Sequence, residues 1–137
     1  MSMLRPIALL AALIVASSCA KGPEATWQVA QRARRDKDTP TYLQCFTART
    51  QKVLANLDAF QQSTRKDLSW LKDPFALLPE GAAVGPAAVD GNVARLRVGE
   101  GRHEVEAVLV REAGQWRIEG LELPTFWAPL AASREGE

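Results

Sequence analysis

Proton-transfer chemistry at neutral pH needs a histidine, or a carboxylate or tyrosine whose pKa its surroundings push toward 7, and this chain offers few such groups. It has one histidine, His103, and one tyrosine, Tyr42. His103 stands between Arg102 and Glu104 at the entry to a strand-like stretch, a setting that reads as a solvated turn rather than a positioned base. Glu104 and Glu106 alternate with apolar residues and so face outward, and the acids elsewhere lie in no clearly apolar stretch. Cys45 sits between Leu43 and Phe46, where a lone thiol reads as a small hydrophobe rather than a nucleophile. Phosphate-loop and dinucleotide glycine signatures are absent. The expectation is a chain with no catalytic residues and no cofactor.

The other cysteine, Cys19, carries the strongest signal. Arg5, an uninterrupted apolar run over residues 7–16 and then Ala16-Ser17-Ser18-Cys19 follow the order of a secretory signal: positive charge, short apolar core, small residues before a cut. The run falls short of the roughly 20 apolar residues a spanning helix needs, so it reads as an export signal. Ala-Ser-Ser-Cys resembles the bacterial lipobox, and that resemblance implies that Cys19 is diacylated, freed by cleavage before it and acylated again. An ordinary secretory cut would export the same domain. Each buried methylene contributes about 0.8 kcal/mol, and two or more acyl chains hold a protein stably on a membrane. Ala20 is not the Asp that resembles an inner-membrane retention signal, so outer-membrane sorting is favoured.

Removing 18 of 137 residues leaves 119 and takes away Arg5 alone, so 16 of the 17 Lys and Arg residues remain against 16 acids. A neutral chain of this length suits one compact domain and lacks the basic bias of a nucleic-acid binder. The densest charge run, Arg32, Arg34, Arg35, Asp36 and Lys37, reads first as a solvated helix end whose cations suit the C-terminal dipole, with contact to anionic headgroups as the second reading. With Cys19 consumed by lipid, Cys45 has no internal partner, and one His plus one Cys cannot supply the three or four ligands of a zinc site.

Four segments emerge: a signal peptide over 1–18, a lipidated tether over 19–23, one domain over 24–130 and a frayed tail over 131–137. Fully extended, the tether reaches roughly 15 Å, which keeps the domain close to its membrane. Trp27, Ala30 and Ala33 or Arg34 recur at helical spacing and predict a helix over 24–36. Thr39 as cap and Pro40 in the first turn predict a short second helix through Tyr42, Leu43 and Phe46. Thr47 caps a third, in which Val53, Leu54, Leu57 and Phe60 form the apolar stripe, and Leu68, Trp70 and Leu71 carry that pattern on to Asp73-Pro74.

The period then changes from about four to two. Residues 81–89, interrupted by Pro86, make at best an edge strand. Ala94, Leu96 and Val98 share one face, as do Val105, Ala107 and Leu109 on a central strand, and Trp116 and Ile118 on the next. Gly120, where the alternation slips, predicts a bulge. Helices followed by a meander of strands define an α+β class, with N-terminal helices packed on a curved antiparallel sheet.

This order resembles the cone-shaped nuclear transport factor 2-like (cystatin-like) superfamily. Residues 35–38 followed by 42–47 look like its charged turn and short aromatic second helix, and Val105 to Val110 with Gly114-Gln115-Trp116 and Arg117-Ile118 look like its closing hairpin. The resemblance implies an apolar cavity between helices and sheet, with Tyr42, Phe46, Phe60, Trp70, His103 and Trp116 as the candidate pocket residues, although aromatics at these spacings are more often plain core. In the superfamily's enzymes a carboxylate or His base and a Tyr or acid serve an enolate. Tyr42 and His103 are the only carriers here, and that set is incomplete. The leading expectation is a non-enzymatic, membrane-anchored envelope lipoprotein that binds a partner protein or a small apolar ligand. The alternatives are a small lyase or isomerase of the ketosteroid-isomerase-like type and a structural accessory subunit of an envelope complex.

Overall fold

The computed structural model describes residues 22–99 and 104–126. The expected signal segment 1–18, Cys19, His103, the expected domain end 127–130 and the expected tail 131–137 lie outside the described residues. The chain is α+β: four helices precede an open four-stranded antiparallel sheet among the described residues.

Helix α1 spans Pro23–Asp36, with Pro23 and Glu24 in its first turn and Arg34 and Arg35 in its last, the arrangement that suits the helix dipole. It buries Trp27, Ala30 and Ala33 as one stripe and ends where Lys37 turns left-handed at φ 56°, letting Asp38 N–H donate to the Ala33 carbonyl at 2.8 Å. Helix α2 spans Thr39–Gln44. Its cap is Asp38, whose carboxylate accepts from Thr41 N–H, and not Thr39 as the sequence predicts. An acid one residue earlier satisfies the same orphan amide and leaves Thr39 inside the helix.

Thr47 caps α3, Ala48–Ala55, through the Thr50 amide. The single long third helix expected from the stripe Val53, Leu54, Leu57, Phe60 is instead two, because α4 restarts at Leu57–Thr64 after Asn56 leaves helical geometry at φ −121°, ψ 41°. Asn56 folds its side-chain amide back onto the Lys52 carbonyl at 3.0 Å, the local competition with the backbone ladder that Asn favours. The apolar pattern beyond Thr64 is realised as 3-10 turns over Ser69–Lys72 and Pro74–Ala76 rather than as helix, burying Leu68 and Leu71.

Strands β1 (Ala88–Asp90), β2 (Val93–Val98), β3 (Val105–Glu112) and β4 (Gln115–Ile118) follow one another across the sheet in chain order. Ala94, Leu96 and Val98 alternate inward on β2 as the period predicts, facing the same core as Ala107, Leu109, Trp116 and Ile118. β1 is the short exposed edge strand expected, reduced to three residues with one further bridge from Ala83 to Val98. The β3–β4 hairpin closes through Ala113-Gly114, both at positive φ (50° and 78°), the two-residue turn whose twist matches that of paired strands.

Helix α1 packs across the inner face of β2 and β4 and against α2. The core holds Trp27, Tyr42, Phe46, Leu96, Leu109 and Ile118, all fully buried. Two features are absent from the sequence reading. Phe46 pairs with Ile118 as a parallel bridge, Thr47 N–H donating to the Ile118 carbonyl at 2.9 Å and Ile118 N–H to the Cys45 carbonyl at 2.7 Å. And Gly120 is no bulge. β4 ends at Ile118, a 3-10 turn covers Gly120–Glu122, and a Cβ on Gly120 would come within 2.6 Å of the Thr50 methyl and 2.9 Å of Leu77. The glycine permits a close approach of turn and helix.

Candidate functional site

Among the described residues, the aromatics named as candidate pocket residues occupy several different places, Phe60 lining a surface cleft with Val53, Asn56 and Ser63. Tyr42 and Phe46 stack edge-on with centroids 5.0 Å apart, and Phe75 lies 4.9 Å from Tyr42 on its other side. Tyr42 and Phe46 belong to the buried core, and Phe75 packs against it from the Pro74–Ala76 turn. Trp116 is buried at the rim, its carbonyl accepting from Thr26 Oγ1 at 3.0 Å and its ring covered by the Arg111 guanidinium at 4.5 Å. Phe60 and Trp70 are half-buried on the helical side, with Trp70 Nε1 buried and without an acceptor among the described residues. His103 lies outside the described residues.

Tyr42 donates its hydroxyl to the Pro74 carbonyl at 2.7 Å. Burial raises its pKa far above the ordinary phenol value, so the proton stays on oxygen and is already committed to the backbone. Cys45 is buried, its thiol directed to the Thr41 carbonyl at 3.3 Å. Burial pushes its pKa up to about 11, with Arg117 partly opposing, which leaves a thiol rather than a thiolate at neutral pH.

One carboxylate that the sequence does not single out is buried. Glu119, between Ile118 and Gly120, is only 8% exposed. Its Oε1 accepts from Thr50 Oγ1 at 3.1 Å and Thr47 Oγ1 at 3.3 Å and faces an Arg49 guanidinium nitrogen at 3.3 Å, while Gly120 N–H donates to Thr50 Oγ1 at 3.0 Å. A carboxylate held by two hydroxyls and a cation at the first turn of α3 is well satisfied, and its role is to clamp that turn to the end of β4. Its neighbours along the chain hold no hint of this, since Thr47 and Thr50 reach it only through the Phe46–Ile118 bridge.

The second assembly runs along α1. Trp27, Gln31 and Arg34, spaced along one side of the helix, donate to the carbonyls of Gly81, Pro79 and Leu78 at 2.8, 2.7 and 2.8 Å, so helix and segment are laced in opposite directions. Glu24 extends the lacing by accepting from Ala87 N–H at 2.6 Å. Beside it opens a groove of ≈ 650 Å³ lined by Gln28, Arg32, Arg34, Arg35, Glu80 and Ala82. Another groove of ≈ 630 Å³ lies between α3–α4 and the following turn, lined by Leu43, Leu54, Leu57 and Leu71.

The outer face of the sheet is different in kind. Arg95 pairs with Glu106 at 2.9 Å and Arg97 with Glu104, so its charges neutralise one another over the half-buried Val108 and Val110. Among the described residues, no cluster of three or more His, Cys, Asp or Glu is placed to hold a metal, and no helix is long and apolar enough to cross a membrane. Compared with known protein families, with curated proteins and with solved structures, the chain matches none.

Proposed function

We propose that the chain is an exported, lipid-anchored envelope protein, held by acylated Cys19 and sorted in preference to the outer membrane, whose domain is non-enzymatic and binds a partner protein. The observation that carries the export and anchoring is the order Arg5, apolar run, Ala16-Ser17-Ser18-Cys19. The nuclear transport factor 2-like cone remains the fold we assign within the α+β class, supported by the sequence of helices followed by an antiparallel meander.

Two features support binding over catalysis. The Tyr42 hydroxyl, one of the two groups the sequence singles out for proton transfer, is spent on the Pro74 carbonyl. The groove between α3–α4 and the following turn is a surface cleft along helices, a shape that suits a protein segment better than an enclosed small apolar ligand. Membrane fractionation tests the anchoring. Wild-type protein should sediment with outer membranes and resist alkaline extraction, whereas Cys19→Ser should accumulate as unprocessed precursor. Release of the wild-type protein by alkali would sink the reading.

A further inference from the structure

We propose that the outward face of α1, carrying Val29, Arg32 and Arg35, lies against the headgroups of an anionic lipid bilayer. The inference rests on the anchored reading above and deepens it. Trp27, Ala30 and Ala33 are buried, and Gln31 and Arg34 are tied to the 78–79 backbone. What remains outward is Gln28, Val29, Arg32 and Arg35, all exposed, with Val29 at 40% one of the few large apolar side chains left open to solvent.

The charges on this face are uncommitted. Neither the Arg32 nor the Arg35 guanidinium has a hydrogen-bond or ion-pair partner among the described residues, in contrast to Arg34, which is held by Leu78 and Glu80. Glu24 is turned into the fold toward Ala87 N–H, and Glu80 across the groove is already paired with Arg34. Lys37 adds a further exposed cation, and Asp36 and Asp38 are the exposed acids of the helix end, outnumbered by Arg32, Arg35 and Lys37. The face therefore presents an apolar side chain flanked by free cations, the composition that suits the headgroup boundary of an anionic surface.

Proximity is what makes so small a patch effective. Cys19 precedes Pro23 by four positions, and α1 is about 21 Å long, so a helix lying flat reaches the surface along its whole length. Each cation near such a surface strengthens binding about fivefold, the equivalent of about 1 kcal/mol. That is too little to recruit a free protein, yet enough to orient a tethered one, because the tether raises the effective concentration of the surface to the millimolar range.

The test uses the acylated full-length product reconstituted into phosphatidylcholine vesicles with or without phosphatidylglycerol, bearing a spin label at Gln28→Cys. Flotation with both kinds of vesicle reports the anchor; the label's accessibility to an aqueous relaxant reports the face. Accessibility should fall severalfold on the anionic vesicles only, and recover at 1 M salt, where the Debye length is about 3 Å. Arg32→Ser/Arg35→Ser should abolish the fall while leaving flotation intact. Equal accessibility on both vesicles, or a fall that persists in the arginine variant, would overturn the proposal. So would a label exposed on anionic vesicles but protected in native envelopes, which would assign the face to an acidic protein. Loss of flotation would instead defeat the anchor.

Discussion

Thr50, in the first turn of α3, donates its hydroxyl to the Glu119 carboxylate at 3.1 Å across 69 positions of the chain. The same oxygen accepts from Gly120 N–H, so one threonine joins helix, strand end and turn. Around it the parallel bridge between Phe46 and Ile118 carries the backbone of residues 45–47 alongside β4.

Glu119→Ala should lower the free energy of unfolding by about 1–3 kcal/mol, since it leaves two buried threonine hydroxyls without their acceptor. Thr47 and Thr50 oxygens lie 2.9 Å apart and can bond each other in its place, which pulls the value toward the low end. Urea titration measures it. A loss no larger than that of a surface alanine substitution would contradict the clamp.

Gly120→Ala should cost about 1–3 kcal/mol by overpacking, because its Cβ would meet Thr50 at 2.6 Å, Leu77 at 2.9 Å and Phe46 at 3.1 Å. The companion Gly114→Ala, with nothing within 4 Å, tests backbone conformation alone. A Gly120→Ala variant as stable as wild type would show that the turn is looser than described.

Trp116→Ala should cost about 3–5 kcal/mol and threaten folding, since it empties the largest side chain of the closing hairpin and uncovers Arg111. Tyr42→Phe loses the bond to the Pro74 carbonyl and the hydroxyl's interaction with the Leu78 backbone, about 1 kcal/mol, and should leave the cellular role intact. A folded Tyr42→Phe protein that loses function would return the phenol to the site.

The alkaline limb of stability carries the mark of Cys45. Its pKa rises from 9.0 to about 11 on folding, so the folded state prefers the protonated thiol. Stability from this group is complete below pH 9 and declines as pH climbs from there through about 11, where the unfolded chain releases the proton first. Cys45→Ala should flatten that part of the unfolding-midpoint profile. Native thiol labelling at neutral pH should be slow and become rapid on denaturation; rapid labelling of the native domain would contradict burial.

Elements whose period reports their own buried face were legible in the sequence. Trp27, Ala30 and Ala33 mark the inner side of α1, and Ala94, Leu96 and Val98 that of β2, each without reference to any partner. Asn56 was not, because Val53, Leu54, Leu57 and Phe60 keep helical spacing across a break made by one side chain bonding backward. Glu119 was invisible for the opposite reason: its burial is set by residues about seventy positions away, brought near by a bridge too short to leave a periodic trace. The candidate pocket aromatics were recognisable as apolar, while their division between the filled core, for Tyr42 and Phe46, and the half-buried helical side, for Phe60 and Trp70, depends on how the helices stack.

The central claim, anchoring through Cys19, is tested most directly by intact-mass and amino-terminal peptide analysis of protein purified from bacterial membranes. The account predicts a mature chain that begins at Cys19 and carries a thioether-linked diacylglycerol and an amide-linked acyl group, with processing blocked in Cys19→Ser. An unmodified mature amino terminus at or after residue 19 in the wild-type protein would contradict it.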